Sequence, residues 1–337
     1  MWNKFKKNNL KNNLKLEKTI LALAPMAGIT DSAFRQICKN FGADIVYSEM
    51  ASVTALVYHA EKTLQMLRSS KTEMPYIIQL FGNNPEHFRE ATRLLSDQKL
   101  INKTKFPSFE IPQGIDINFG CPVSKIAKQG AGAELMKDLK KSREIIKSVL
   151  KSTHLPVSIK IRAKSGEIDA LKFLDNINDL DIKAVMIHGR TLSQKFTGAV
   201  DCEIIKKARN YFGGFILANG YDYQLKTDSQ IADYYQYLLD KTQADGIGIA
   251  RAVYGRPWIF AKIKNPSFAD EQEIDKKYIK SIILKHAKLV YELKNRIGII
   301  EMRKHLCWYV QGLPQARKIR QSLVQVENLE DIENLVL

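Results

Sequence analysis

Seven polar side chains fall at the ends of short β-rich runs: Glu49, Gln79, Asn118, Lys160, His188, Asn219 and Arg251. A carboxylate, amides, cations and an imidazole gathered on one rim could bind and polarise a small ligand. Alternation along a strand puts Ser158, Lys160 and Arg162 on one face and Val157, Ile159 and Ile161 on the other. It likewise sets Met186, His188 and Arg190 against Val185 and Ile187. The run Ile115–Phe119 is followed by Gly120-Cys121-Pro122 and a polar stretch, 123–132, with Lys125 and Lys128. Gly130 and Gly132 would let that stretch bend as an active-site lid must. A thiol with an ordinary pKa of about 8.5 is mostly protonated at neutral pH, so Cys121 could donate a proton. Cys38 and Cys202 fit the buried structural role better. Two segments suit an anion, Asn219-Gly220 and Gly248-Ile249-Ala250-Arg251, although tight-turn glycines need no ligand.

These residues need a frame. The strand candidates are 21–25, 45–48, 76–81, 115–119, 157–162, 184–188, 215–218 and 246–249, alternating with helical stretches such as 85–97. Eight strands joined by crossovers predict an α/β chain whose parallel sheet closes into a (β/α)8 TIM barrel, with function at the C-terminal strand ends. An open doubly wound sheet is the rival, but no GxGxxG follows the first strand. The connection Asn102–Gly114 is long and carries Pro107 and Pro112, which predicts an inserted surface loop. After Ile263 the pattern turns helical, beginning with 278–293. The expected organisation is a basic leader over 1–18, a barrel over 19–265 and a C-terminal helical domain over 270–337.

The composition is that of a soluble globular protein, with 337 residues, 45% hydrophobic and 26% charged, which excludes disordered, collagen-like and membrane classes. The apolar run near Ile20–Ile29 is too short to span a bilayer and is broken by Pro25. Its uninterrupted part, 20–24, is also too short for a signal peptide. Four cysteines without a CxxC pair predict neither disulfides nor a metal site, and fit a reducing cytoplasm. No exposed apolar stripe calls for a partner, so a monomer is expected. The net charge of +16 is segregated: +5 lies in 1–18, +10 in 276–320, and only +1 elsewhere. Such a stretch suits a polyanion, most often nucleic acid, or else a solvated helix face.

From about Leu21 to Leu313 the chain resembles the tRNA-dihydrouridine synthases, the bacterial B-type branch most closely. The resemblance rests on Ala24-Pro25-Met26-Ala27-Gly28, Gln79-Leu80-Phe81-Gly82, and 116–122 with Lys125, Gly130, Ala131 and Gly132. It extends to Lys160-Ile161-Arg162, His188-Gly189-Arg190-Thr191, Asn219-Gly220 and Gly255-Arg256-Pro257-Trp258. It implies an FMN-dependent, NADPH-driven reduction of the C5–C6 double bond of uridine in tRNA. Hydride would pass from reduced FMN to C6, and a proton from Cys121 to C5. FMN contacts would be Pro25, Met26, Ala27, Gln79, Lys160, His188, Asn219, Gly220, Ala250 and Arg251. Asn118, Arg162 and Arg190 would lie near the flavin or the extruded base. The helical domain would grip tRNA through Arg303, Lys304, Arg317 and Arg320, while Trp308 could belong to that module or to its core. Ala250 stands where the family commonly has glycine, and Tyr221 where it commonly has an acidic residue, with Asp222 one position later. Two other readings stay open: an FMN barrel acting on a small molecule, as dihydroorotate dehydrogenases do, or a non-catalytic RNA-binding protein.

Overall fold

The computed structural model describes residues 1–5, 19–102, 104, 109–268 and 274–334. Its strands are β1 (Ile20–Leu23), β2 (Ile45–Ser52), β3 (Tyr76–Phe81), β4 (Gly114–Asn118), β5 (Val157–Ser165), β6 (Ile168–Asp169), β7 (Ile182–Thr191), β8 (Phe215–Asn219) and β9 (Gly246–Ile249). The sheet runs β4-β3-β2-β1-β9-β8-β7-β5, and β4 also pairs with β5, so the eight long strands close on themselves. Every one of those eight pairings is parallel, and β6 is a short antiparallel appendage of β5. The expected TIM barrel is therefore present. Its strands read as nearly continuous apolar runs because both faces are covered.

Alternation divides the strand residues between two apolar layers. Val157, Ile159, Ile161, Val185 and Ile187 pack outward with Phe173, Leu174 and the other helix residues. Ile20, Ala22, Ile45, Tyr47, Ile77, Met186 and Leu217 fill the barrel's interior. Trp2 joins that interior, 3% exposed and stacked on Phe215 with ring centroids 5.3 Å apart. The first residues of the expected basic leader thus plug the bottom of the barrel. The remainder of that leader, 6–18, lies outside the described residues, as do 103 and 105–108 of the 102–114 insertion.

The helix expected over 278–293 begins at Lys276 behind the Asp275 cap and is interrupted at Asn295, whose φ of 51° and ψ of −144° are not helical; a second helical stretch then continues to Tyr309. It is followed by Ala316–Leu323 and Leu329–Glu333. Ile282, Ile283, Ile299, Met302, Leu306 and Leu323 form a core of their own, which also takes in Ala33 and Ile37 of the Ser32–Asn40 helix. The helical region is therefore docked on the helix that follows β1, at one side of the barrel mouth. No helix among the described residues is long and apolar enough to cross a membrane.

Candidate active site

Strand register aligns the rim. Asn118 pairs with Lys160, Arg162 with His188, and His188 with Asn219, while Asn219 pairs with Gly248 of β9. Above them lies a cavity of about 250 Å3 lined by Pro25, Met26, Ala27, Gln79, Asn118, Cys121, Lys160, Arg162, His188, Arg190, Asn219, Gly220, Ala250 and Arg251. Fourteen expected site residues thus meet in one place. Glu49 does not join them. Between Tyr47 and Met50 the register of β2 on β3 slips by one residue, so Met50 pairs with Gln79 and lines the cavity. A bulge re-aims every later side chain of its strand. Glu49 instead accepts a hydrogen bond from the Gly28 N–H and faces a second cavity.

Hydrogen bonds hold the amides in fixed poses. Gln79 Nε2 donates to Asp116 Oδ2 at 2.7 Å, and Asn118 Nδ2 donates to Gln79 Oε1 at 2.8 Å. Ser158 completes the chain by donating to Asp116 at 2.6 Å. Asn118 Oδ1 accepts from the backbone N–H of Gly120 at 3.0 Å and of Cys121 at 2.9 Å, which fixes the turn that presents the thiol. The loop beyond it contains a short helix, Ser124–Ala127, and returns to Cys121, whose carbonyl accepts from Ala133 N at 3.1 Å. Gly132 has φ +63°, and a Cβ there would come within 3.0 Å of the Cys121 Cβ. A side chain at this position would push the thiol out of place.

The cavity is strongly cationic. Burial pushes the Lys160 ammonium down to about 8, aided by Arg162 beside it and opposed by Asp116 and Cys121. Burial also lowers Arg162, to about 10, and lowers Arg251. His188 is held well below its ordinary range by burial and by Lys160, Arg162, Arg190 and Arg251, so the imidazole is neutral. Burial raises the Cys121 thiol, with Val123 N–H, Lys160 and Arg162 pulling the other way. The thiol keeps its proton at neutral pH.

The guanidinium of Arg162 is tied to the carbonyls of Gly120, Thr191 and Lys195 at 2.8, 3.0 and 2.8 Å. Arg190 donates to Gly198 and Tyr221 carbonyls at 2.8 and 2.9 Å. Arg251 has no such ties: its Nη2 is buried without a hydrogen-bond partner. Its guanidinium lies 3.4 Å from the ring centre of Phe196 and 4.6 Å from that of Tyr223. Sequence reasoning did not single out Phe196, Tyr223 or Tyr254, which also line the cavity. Each follows a rim strand within a few residues, and an aromatic in such a loop was the available signal. Tyr221 lines the cavity through the loop where an acidic residue was expected, while Asp222 faces elsewhere and accepts from Gln224 N.

The basic residues of the helical region lie outside this cavity. Arg303 Nε donates to the Val326 carbonyl at 2.8 Å, tying its helix to the connection between the Ala316–Leu323 and Leu329–Glu333 helices. Lys304 lines the second cavity, and Arg317 and Arg320 are exposed on the Ala316–Leu323 helix. Trp308 stacks on Tyr254 with ring centres 4.0 Å apart and planes 6° from parallel, so it joins the helical region to the cavity wall. Among the described residues no group of three or more His, Cys, Asp or Glu could hold a metal ion.

Comparison with known proteins agrees with this arrangement. The dihydrouridine synthase (Dus) family model matches residues 22–337. A probable tRNA-dihydrouridine synthase of Helicobacter pylori is 32% identical over 320 residues, covering 94% of this chain and 90% of that protein. A tRNA-dihydrouridine synthase B of Pasteurella multocida is 32% identical over 337 residues, covering 95% and 94%. One from Pseudomonas syringae pv. tomato, also a tRNA-dihydrouridine synthase B, is 30% identical over 317 residues, covering 92% and 88%. With the cysteine loop, the cationic rim and this match over nearly the whole chain, the protein belongs to the dihydrouridine synthase family.

Proposed function

We propose that this protein reduces the C5–C6 double bond of uridine in tRNA to give 5,6-dihydrouridine, using FMN as its flavin and NADPH to reduce it. The observation that carries the reading is one cavity in which a protonated thiol, Cys121, faces Lys160, Arg162 and an Arg251 whose Nη2 lacks a partner. An unpaired buried guanidinium nitrogen calls for an anion. Beside it, Gly220 (φ +154°) lines the cavity at a position where Val200, 2.4 Å from where a Cβ would stand, admits only glycine. These residues fit the phosphate of FMN, held by Arg251 and the backbone around Gly220 and Ala250. Pro25, Met26, Ala27, Gln79, Lys160, His188 and Asn219 would line its ring.

Bound flavin would supply the electron pair and the hydrogen that reach C6. The second hydrogen must come as a proton to C5, and Cys121 holds it. Asn118 fixes the turn that aims the thiol. Lys160 offsets negative charge in the cavity floor, and Arg162 keeps its fork anchored on three carbonyls. Neutral His188 can donate or accept without adding another cation. The uridine must leave the RNA body to enter so small a cavity. The rest of the tRNA would lie toward the helical region, where Arg317 and Arg320 meet its phosphates.

Unmodified tRNA, FMN and NADPH test the reading directly. Wild type should bind a yellow cofactor absorbing near ~450 nm and form dihydrouridine. Cys121→Ala should still let NADPH bleach the flavin, while product formation falls by about 10²–10⁴-fold. Undiminished product would remove Cys121 from the acid role. Reduction of a free pyrimidine in preference to tRNA would favour the small-molecule oxidoreductase.

A further inference from the structure

A second cavity, about 730 Å3, lies between the barrel rim and the long helix. Gly28, Asp31, Glu49 and Arg68 wall it on the barrel side, and His286, Lys294 and His305 on the other. It shares a partition with the first cavity, because Ala27 and Met50 line one and their chain neighbours Gly28 and Glu49 line the other.

Its polar groups are only partly used. His286 is 1% exposed; its Nδ1 is 3.2 Å from the Tyr309 hydroxyl, and its Nε2 has no hydrogen-bond partner. Arg68 Nε is likewise buried and unpartnered. Lys294 is consumed by Asp31 at 2.9 Å and Glu301 at 2.8 Å. Lys62 and Lys304 stand exposed at the mouth, and neither pairs with a carboxylate among the described residues. The cavity therefore offers an acceptor in Glu49, the Nε–H of an Arg68 guanidinium whose Nη1 already donates to the Leu293 carbonyl, and a neutral imidazole, with two further unpaired cations at the entrance. A carboxylate inside disfavours a bare anion, whereas a heterocycle with donors and acceptors on its edge satisfies such a set. The entrance suits the phosphate attached to it.

We propose that this cavity is a nucleotide subsite that receives the base next to the reacting uridine, with Glu49, Arg68 and His286 reading its edge and Lys62 and Lys304 holding its phosphate. The proposal rests on the tRNA reading above. It makes the partition, with Met50 on one side and Glu49 on the other, the element that separates the two splayed bases.

The experiment uses the full chain loaded with FMN and unmodified tRNA in which each nucleotide flanking the target uridine is made abasic in turn. With wild type, one of the two abasic tRNAs should raise KM about tenfold, the range a single held base supplies, with kcat little changed. The double variant Glu49→Gln/Lys62→Ala should raise KM for intact tRNA by a similar factor and lose most of the discrimination against the abasic one. Flavin absorbance and its bleaching by NADPH report that the variant is folded. Equal KM values for all three tRNAs with wild type, or discrimination undiminished in the variant, would overturn the subsite. A wild type that modifies no tRNA would overturn the functional reading and this proposal together.

Discussion

Among the cations that line the cavity, Lys160 changes state nearest to ordinary working pH, while burial raises Asp116 of the Gln79–Asn118 network to about 6. Burial first, then Arg162, brings its ammonium down to about 8, while His188 is already neutral and Arg162 remains charged to about 10. A bound anion favours the charged form, so binding of the proposed FMN would be linked to proton uptake. As pH rises through 8, free Lys160 loses its charge and binding must first restore it. The FMN Kd should therefore be flat from pH 6.5 to 7.5 and weaken by up to about tenfold per pH unit above 8. Lys160→Arg should flatten that limb; a Kd independent of pH from 7 to 9.5 would show that Lys160 does not face the flavin. The lysine was legible in the sequence because strand alternation placed it with Ser158 and Arg162. The same alternation misplaced Glu49, because the bulge in β2 leaves no local signature in 45–52. Arg251's aromatic contacts were also hidden, since Phe196 and Tyr223 reach it from loops whose paths depend on the closed barrel.

Elements meet most tightly where the helical region touches the barrel. Gly255 has φ +71°, and a Cβ there would fall 2.1 Å from the Trp308 carbonyl oxygen. Gly255→Ala combines a left-handed backbone with an overlap against main chain, and should cost about 2–4 kcal/mol in urea unfolding. A loss below ~1 kcal/mol would mean that the long helix is not seated there. Nearby, burial pushes His286 down to about 4, partly opposed by Asp31, and holds His305 well below its ordinary range. Burial raises Asp31, but the Lys294 ammonium and the Phe34 N–H help outweigh it, so its carboxylate stays ionised in the folded state. In the unfolded chain both imidazoles titrate near ~6.5. Below that pH the unfolded state gains protons that the folded state refuses, so stability should fall by up to about 1.4 kcal/mol per pH unit per histidine. For His286 the loss ends near pH 4. Urea midpoints that do not move between pH 7 and 5 would contradict this account. The first helix was legible as a change of pattern after Ile263, and its expected end at 293 lies just before Asn295, where the backbone leaves helical geometry; the second helical stretch, on to Tyr309, was not resolved from it in the sequence. The second cavity, formed beside that break, could not be seen in any single segment.

At the scale of the molecule, the charge is divided as the sequence divides it, with +10 of the net +16 in 276–320. The structure separates that block into cations with different duties. Arg303 is tied to the Val326 carbonyl, Lys294 bridges Asp31 and Glu301, and Arg296 pairs with Glu327. Arg317 and Arg320 remain exposed on one short helix without carboxylate partners among the described residues. Bulk charge could not distinguish these cases, because it counts a bridged lysine and a free arginine alike. The distinction predicts a salt dependence. Each phosphate neutralised adds about 0.9 to the slope of log K against log salt for duplex RNA or DNA, and about 0.7 for single strands. Arg317→Ala/Arg320→Ala should lower that slope for tRNA by about 1.4–1.8, whereas Arg296→Ala, whose charge already has a partner, should change it less. Both variants should keep wild-type flavin content, since none of the three residues lines the active-site cavity. Should the double variant keep the wild-type slope, the exposed helix is a solvated face, and the RNA must meet the protein along the cavity mouths instead.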